Sequence, residues 1–170
     1  APEVVAEDTR HERRQVTILF ADISGFTEIS KSLDPEDAHA LLQDYFGIAD
    51  KVIESFGGRV DKHIGDAVMA LFGAPVAHGD DPMRAVRSAL ELHSAVKRLV
   101  LNDGNPISIH VGIASGEVVA GALGGVSREY TVVGDSVNLA AWLQENCPAN
   151  ETLISDSVRL VVEGKLSCEP

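Results

Sequence analysis

The sequence predicts an α+β fold: a ferredoxin-like βαββαβ core with additional C-terminal strands and helices. Three observations carry this reading. An almost unbroken apolar run, Val16-Thr17-Ile18-Leu19-Phe20-Ala21, reads as a central strand covered on both faces. A long stretch with apolar residues at helical spacing is followed by two short strand patterns that meet at Gly65-Asp66. A second amphipathic stretch then leads into a strand of clean period two, with Ile107, Ile109, Val111 and Ile113 on one face.

Taken in order, residues 1–12 are charged and aperiodic, which suits a linker from a preceding segment and puts the folded domain at 13–170. After the first strand, Ser24-Gly25-Phe26 turns the chain into a short helix from Thr27 to about Ser32. Pro35 opens the long helix, as proline does in a first turn. Its core face is Leu41, Leu42, Tyr45, Phe46, Ala49, Val52, Ile53 and Phe56, and Gly57-Gly58 ends it. Strands over 59–64 and 67–72 flank Gly65-Asp66. Asp81-Pro82 starts the next helix, whose expected buried face includes Met83, Val86, Ala89, Leu90, Val96, Leu99 and Val100. Asn102-Asp103-Gly104-Asn105-Pro106 is a turn signal. Ser115-Gly116-Glu117 reads as a further turn, between the strand at 107–113 and another at 118–123. A strand at 130–133, a helix opened by Gly134-Asp135-Ser136, a strand at 152–154, a helix near 156–163 and a last strand at 166–169 complete the expectation. Helices on one face of the sheet are expected from the core topology.

The 170 residues carry 14 basic and 26 acidic side chains, a formal charge of −12. That balance argues against nucleic acid or an anionic membrane as the main partner. It leaves a triphosphate open, because Mg²⁺ or Mn²⁺ neutralises both sides. Cys147 and Cys168 form no C-x-x-C pair and read as reduced thiols, consistent with a cytoplasmic location. No apolar run is long enough for a membrane span, and the N-terminus has no signal-peptide core.

Two aspartates stand out. Asp22 follows the first apolar strand, in Phe20-Ala21-Asp22-Ile23-Ser24-Gly25-Phe26-Thr27, and Asp66 sits at the hairpin tip, in Lys62-His63-Ile64-Gly65-Asp66-Ala67-Val68-Met69-Ala70. Carboxylates held at strand ends can clamp two divalent ions about 3.5–4 Å apart, a geometry suited to displacement at phosphorus. Taken alone, Asp22 also suits a helix N-cap and Asp66 a turn. The free N–H groups of Ser24, Gly25, Phe26 and Thr27 suit phosphate oxygens.

These stretches, with Tyr130-Thr131-Val132-Val133-Gly134-Asp135-Ser136-Val137-Asn138-Leu139-Ala140-Ala141, resemble the class III nucleotidyl cyclase catalytic domain from about Arg14 to the C-terminus. The resemblance implies conversion of ATP or GTP to the 3′,5′-cyclic monophosphate and pyrophosphate, by a homodimer with its sites between the chains. It implies two Mg²⁺ or Mn²⁺ ions held by Asp22, Asp66 and the Ile23 carbonyl, and attachment to further domains in a longer protein. Lys62 and Thr131 match the two base readers. An ammonium suits adenine N1, an acceptor, and a hydroxyl can accept from the 6-amino group. Threonine at the second place resembles the subclass that includes bicarbonate-responsive cyclases. Asn138 matches the asparagine that orients the ribose. One helical turn later, where the family has an arginine, this chain has Trp142, which also suits a packing role. Losing such a cation lowers a rate by a factor on the order of 10²–10³. Arg128 is the alternative cation. The family's triphosphate-binding lysine is expected beyond Pro170, Lys165 lying too early. The leading expectation is therefore an adenylyl cyclase; a weakened or inactive nucleotide-binding or dimerisation module, or a guanylyl cyclase, are the alternatives. His63 and His110 lack metal-ligand spacing and read as structural or exposed.

Overall fold

The computed structural model describes residues 11–170. The first strand, β1 (Glu12–Ile23), is followed by a short helix α1 (Phe26–Ser32) and the long helix α2 (Pro35–Ser55). The hairpin β2 (Arg59–Ile64) and β3 (Ala67–Phe72) precedes α3 (Asp81–Ala95). Then come β4 (Ile109–Leu123), β5 (Glu129–Val133), α4 (Asp135–Glu145), β6 (Thr152–Ile154) and α5 (Asp156–Val162). The six-stranded sheet has the order β2-β3-β1-β4-β5, with β6 parallel to the first half of β4. The βαββαβ core is as expected, and β1 is central, buried from Val16 to Ala21.

Several expectations are corrected. Residues 1–10 of the expected linker lie outside the described residues, and Glu12 already belongs to β1. Ser115-Gly116-Glu117 is no turn: β4 runs through it, in one unbroken register with β1 from Ile23↔Ile109 to Glu12↔Ala120. Gly116 serves helix approach instead. A Cβ there would lie 2.1 Å from Ser136 Oγ, and one at Gly112 would lie 2.3 Å from Gln144 N and 2.4 Å from Ala140 O. Glycines inside a strand often mark such close approach. They seat α4 on the sheet, so helices cover both faces rather than one. Leu19, Ala21, Ile23, Ile109, Val111 and Ile113 face α2, α3 and α5. Val16, Ile18, Phe20, Ala114, Val118 and Ala120 face the side where Ala140 of α4 packs. The expected third helix ends early, in a 3₁₀ turn over Val96–Arg98, and Leu90 and Val100 are exposed. No strand forms at 166–169, where Leu166 makes a single bridge to Glu163.

Strands β2 and β5 lie at opposite ends of the sheet order. Yet Thr131 of β5 donates a hydrogen bond to Asp61 of β2, and Arg59 stacks over the Tyr130 ring at 5.1 Å. Twist and curl carry the two edges together. The closed end that results brings residues 70 positions apart into direct contact.

Candidate active site

Asp22 lies next to the end of β1, directly across from His110 of β4. Its Oδ1 faces His110 Nε2. His110 Nδ1 lies 3.1 Å from the Cys147 carbonyl. Both ring nitrogens therefore face oxygen. Gln144, buried on α4, stands 3.4 Å from His110 Nε2. Burial pushes the Asp22 carboxyl up to about 6; His110 opposes the rise, Asp66 adds to it and a Gln144 hydrogen bond opposes it.

The β2–β3 turn brings Asp66 to the same place. Gly65 takes a left-handed φ of 62°, which lets two residues reverse the chain. Asp66 Oδ2 then accepts a 3.1 Å hydrogen bond from the Ile23 amide. Ser24 N donates to Ser108 O, so Ile23 sits between hydrogen-bonded positions of the β1–β4 ladder. In such a ladder its N–H and C=O both point away from β4, toward the hairpin tip. Two carboxylates and one carbonyl thus converge, a set of hard oxygen donors that fits Mg²⁺ or Mn²⁺. Among the described residues no group of three or more His, Cys, Asp or Glu side chains is placed to hold a metal. Asp22 is no helix cap, since the residue capping α1 is Gly25, whereas Asp66 does sit in the β2–β3 turn. Beneath them Tyr45 is fully buried, its hydroxyl without a hydrogen-bond partner. Burial pushes that phenol well above its ordinary value, and Asp22, Asp66 and Asp50 add to the rise.

Ser24 and Gly25 link β1 to α1, which Phe26 and Thr27 open, with Gly25 and Thr27 exposed. Gly25 O accepts from Glu28 N and Ile29 N, closing the first turn and leaving the Phe26 and Thr27 N–H groups free of helical partners; the Ser24 N–H, expected to be free, is instead taken by Ser108 O.

Of the other expected residues, Lys62 and Thr131 meet where the β2 and β5 edges come together. Asp61 sits at a register shift between Val60 and Lys62. A bulge of this kind re-aims a side chain, and here it turns the Asp61 carboxylate inward, leaving it 1% exposed. Asp61 Oδ2 lies 3.4 Å from Lys62 Nζ and accepts from Thr131 Oγ1 at 2.9 Å. Lys62 and Thr131, distant in sequence, share one oxygen. Asn138 and Trp142 lie one turn apart on α4, both exposed, Trp142 by 57%. Leu139 and Val133 are exposed nearby. Arg128 is exposed on the β4–β5 connection and makes no ion pair among the described residues. His63 stacks on Phe46 and bonds Asp50, a structural role.

Sequence reasoning missed Asp61, His110 and Gln144. The period-two alternation did put His110 on the strand face opposite the isoleucines, the face Asp22 shares. No local signal marked the bulge at Asp61.

A family model described as the adenylate and guanylate cyclase catalytic domain matches residues 9–169. An adenylate cyclase of Anabaena cylindrica is 38% identical over 144 residues, covering 77% of this chain and 27% of the relative. A receptor-type guanylate cyclase of Drosophila melanogaster is 34% identical over 151 residues, covering 87% of this chain and 10% of the relative. The chain thus spans between about a tenth and somewhat over a third of the length of curated relatives it matches. Among solved structures, the catalytic core of a rhodopsin-guanylyl cyclase with converted specificity, in complex with ATPαS, superposes with a TM-score of 0.87 at 34% identity. That match covers 94% of this chain and 87% of the other. Relatives of both nucleotide preferences are present, and no helix among the described residues is long and apolar enough to cross a membrane. The chain belongs to the adenylate and guanylate cyclase catalytic domain family.

Proposed function

We propose that this domain is an adenylyl cyclase of the threonine type, forming 3′,5′-cyclic AMP and pyrophosphate from ATP as a homodimer. The observation that carries the reading is the convergence of Asp66 on the Ile23 amide, beside Asp22. Asp22, Asp66 and the Ile23 carbonyl are the residues that would hold Mg²⁺ or Mn²⁺. Ions bound there would acidify the ribose 3′-hydroxyl and neutralise the phosphates. The 3′-oxygen bonds to the α-phosphorus, the bond to the bridging oxygen breaks, pyrophosphate leaves and the hydroxyl proton passes to water. The N–H groups at the start of α1 hold phosphate oxygens. Asn138 orients the ribose, and Lys62 with Thr131 reads the adenine edge.

The exposed apolar side chains Val133, Leu139 and Trp142 support a partner chain over α4. In a symmetric pair, Asp22 and Asp66 of one chain would face Lys62, Thr131 and Asn138 of the other, giving two equivalent sites. A second reading, a weakened cyclase or a nucleotide-binding module, draws on Trp142, which leaves no cation one turn after Asn138. An assay with Mn²⁺ and ATP, beside GTP, separates the readings. Steady cyclic AMP formation that Asp22→Ala abolishes supports the cyclase. No product from either nucleotide, with ATP still bound, supports the module. A preference for GTP rejects the adenylyl assignment.

A further inference from the structure

We propose that Asp61 is a positioning residue for nucleotide choice: by accepting the hydrogen bond that the Thr131 hydroxyl donates, it fixes Thr131 as an acceptor toward the base. The inference rests on the reading of Lys62 and Thr131 as base readers and deepens it. The bulge in β2 turns the Asp61 carboxylate inward, where Thr131 Oγ1 donates to Oδ2 at 2.9 Å. Thr131 is itself buried, 8% exposed, so its hydroxyl has few alternative partners. A free hydroxyl can donate or accept as the base requires, so a lone threonine discriminates poorly between a 6-amino and a 6-oxo purine. An ionised carboxylate only accepts. Once the hydroxyl proton is committed to Asp61, only lone pairs remain for the base. They match the 6-amino donor of adenine and oppose the 6-oxo acceptor of guanine. The same carboxylate oxygen lies 3.4 Å from Lys62 Nζ. It therefore also places the ammonium, a donor in any orientation, beside the acceptor-presenting threonine. The donor–acceptor pair that suits adenine is thus set by a third side chain that need not touch the nucleotide.

Asp61→Asn tests this with little change in volume. Its amide can donate to Thr131 Oγ1 and free the hydroxyl proton for a 6-oxo group. Dissociation constants of 3′-deoxy-ATP and 3′-deoxy-GTP, which cannot cyclise, are measured with Mn²⁺ on the full chain. The preference for the adenine nucleotide should fall by about tenfold in Asp61→Asn, the effect of one hydrogen bond changed from favourable to opposed. Thr131→Val should lower it similarly, Asp61→Asn should add nothing in that background, and Thr131→Ser should retain the wild-type ratio. A ratio within twofold of wild type in Asp61→Asn, while Thr131→Val moves it, overturns the role of Asp61 and leaves the base readers standing. If neither Thr131→Val nor Lys62→Ala moves the ratio, the base-reading assignment fails and this inference with it. The unsubstituted protein gives an independent test should Asp61→Asn not fold. Among 3′-deoxy triphosphates that keep the N1 acceptor, affinity should fall from 6-aminopurine to purine to 6-methoxypurine. A 6-methoxypurine that binds as well as purine shows a hydroxyl free to donate and rejects the proposal.

Discussion

The two acidic corners of this domain handle a buried carboxylate in opposite ways. Asp61 is enclosed and satisfied, with a hydroxyl and an ammonium on the same oxygen. Asp22 is half-buried beside a second carboxylate, and its ionised form is disfavoured. A satisfied carboxylate is a fixed part of the structure and orders what surrounds it. One whose charge is opposed by burial and by a like neighbour, and only partly offset by His110 and Gln144, gains from an added cation. On the proposed function, the difference separates a corner that reads the base from one that would hold metal.

The sharpest way to break this contrast is to remove one acid from the Asp22 corner. Asp66→Ala should lower turnover by on the order of 10²–10³ or more for ATP and GTP alike, leaving their ratio unchanged, as product formation will show. A change in the ratio without loss of rate would place Asp66 in the wrong corner. Gly112→Ala comes next. Its methyl group would meet the α4 backbone at Ala140 and Gln144, so α4 must shift at a cost of about 1–3 kcal/mol in urea unfolding. The damage should fall on Gln144 and His110, and thus on divalent-ion affinity, more than on base preference. Trp142→Arg should raise turnover about tenfold if a cation on α4 is limiting. No gain would mean that the domain completes its charge elsewhere, with Arg128 the first residue to test.

The smallest effect is in pH. The folded pKa of Asp22, about 6, lies above its ordinary value of 3.8. Between those values the folded state binds the extra proton, so the contribution of Asp22 to stability falls as pH rises through that window and stays low above it. In metal-free protein, Asp22→Asn should therefore melt higher than wild type at pH 7.5, with the gap closing toward pH 4. Saturating Mn²⁺ should reverse the order at pH 7.5. A gap that widens on acidification would show that Asp22 is stabilised as the anion. By the same sign, the affinity of wild type for Mn²⁺ with nucleotide should weaken below about pH 6.

The backbone layout was legible because its signals are local. An apolar run, two helical periods and Gly65-Asp66 between strand patterns suffice for βαββαβ. The meeting of Asp22 and Asp66 was legible only through motif, since nothing in either stretch says that Ile23 N–H will find Asp66. What escaped was long-range. Gly116 looked like a turn residue because sequence cannot show that Ser136 will press against its Cα. Asp61 looked like one more polar strand residue because its inward turn depends on a bulge, and its partner Thr131 comes from the opposite edge of the sheet. His110 lacked ligand spacing along the chain, yet the register of β4 against β1 sets it on Asp22.

The exposed indole on α4 has a practical consequence. Trp142 is the sole tryptophan of the chain, so intrinsic fluorescence reports one location. Its emission should lie to the red while that helix face is in water and move to the blue as a second subunit covers it. Self-association could then be followed by dilution in a cuvette, without labels and without turnover.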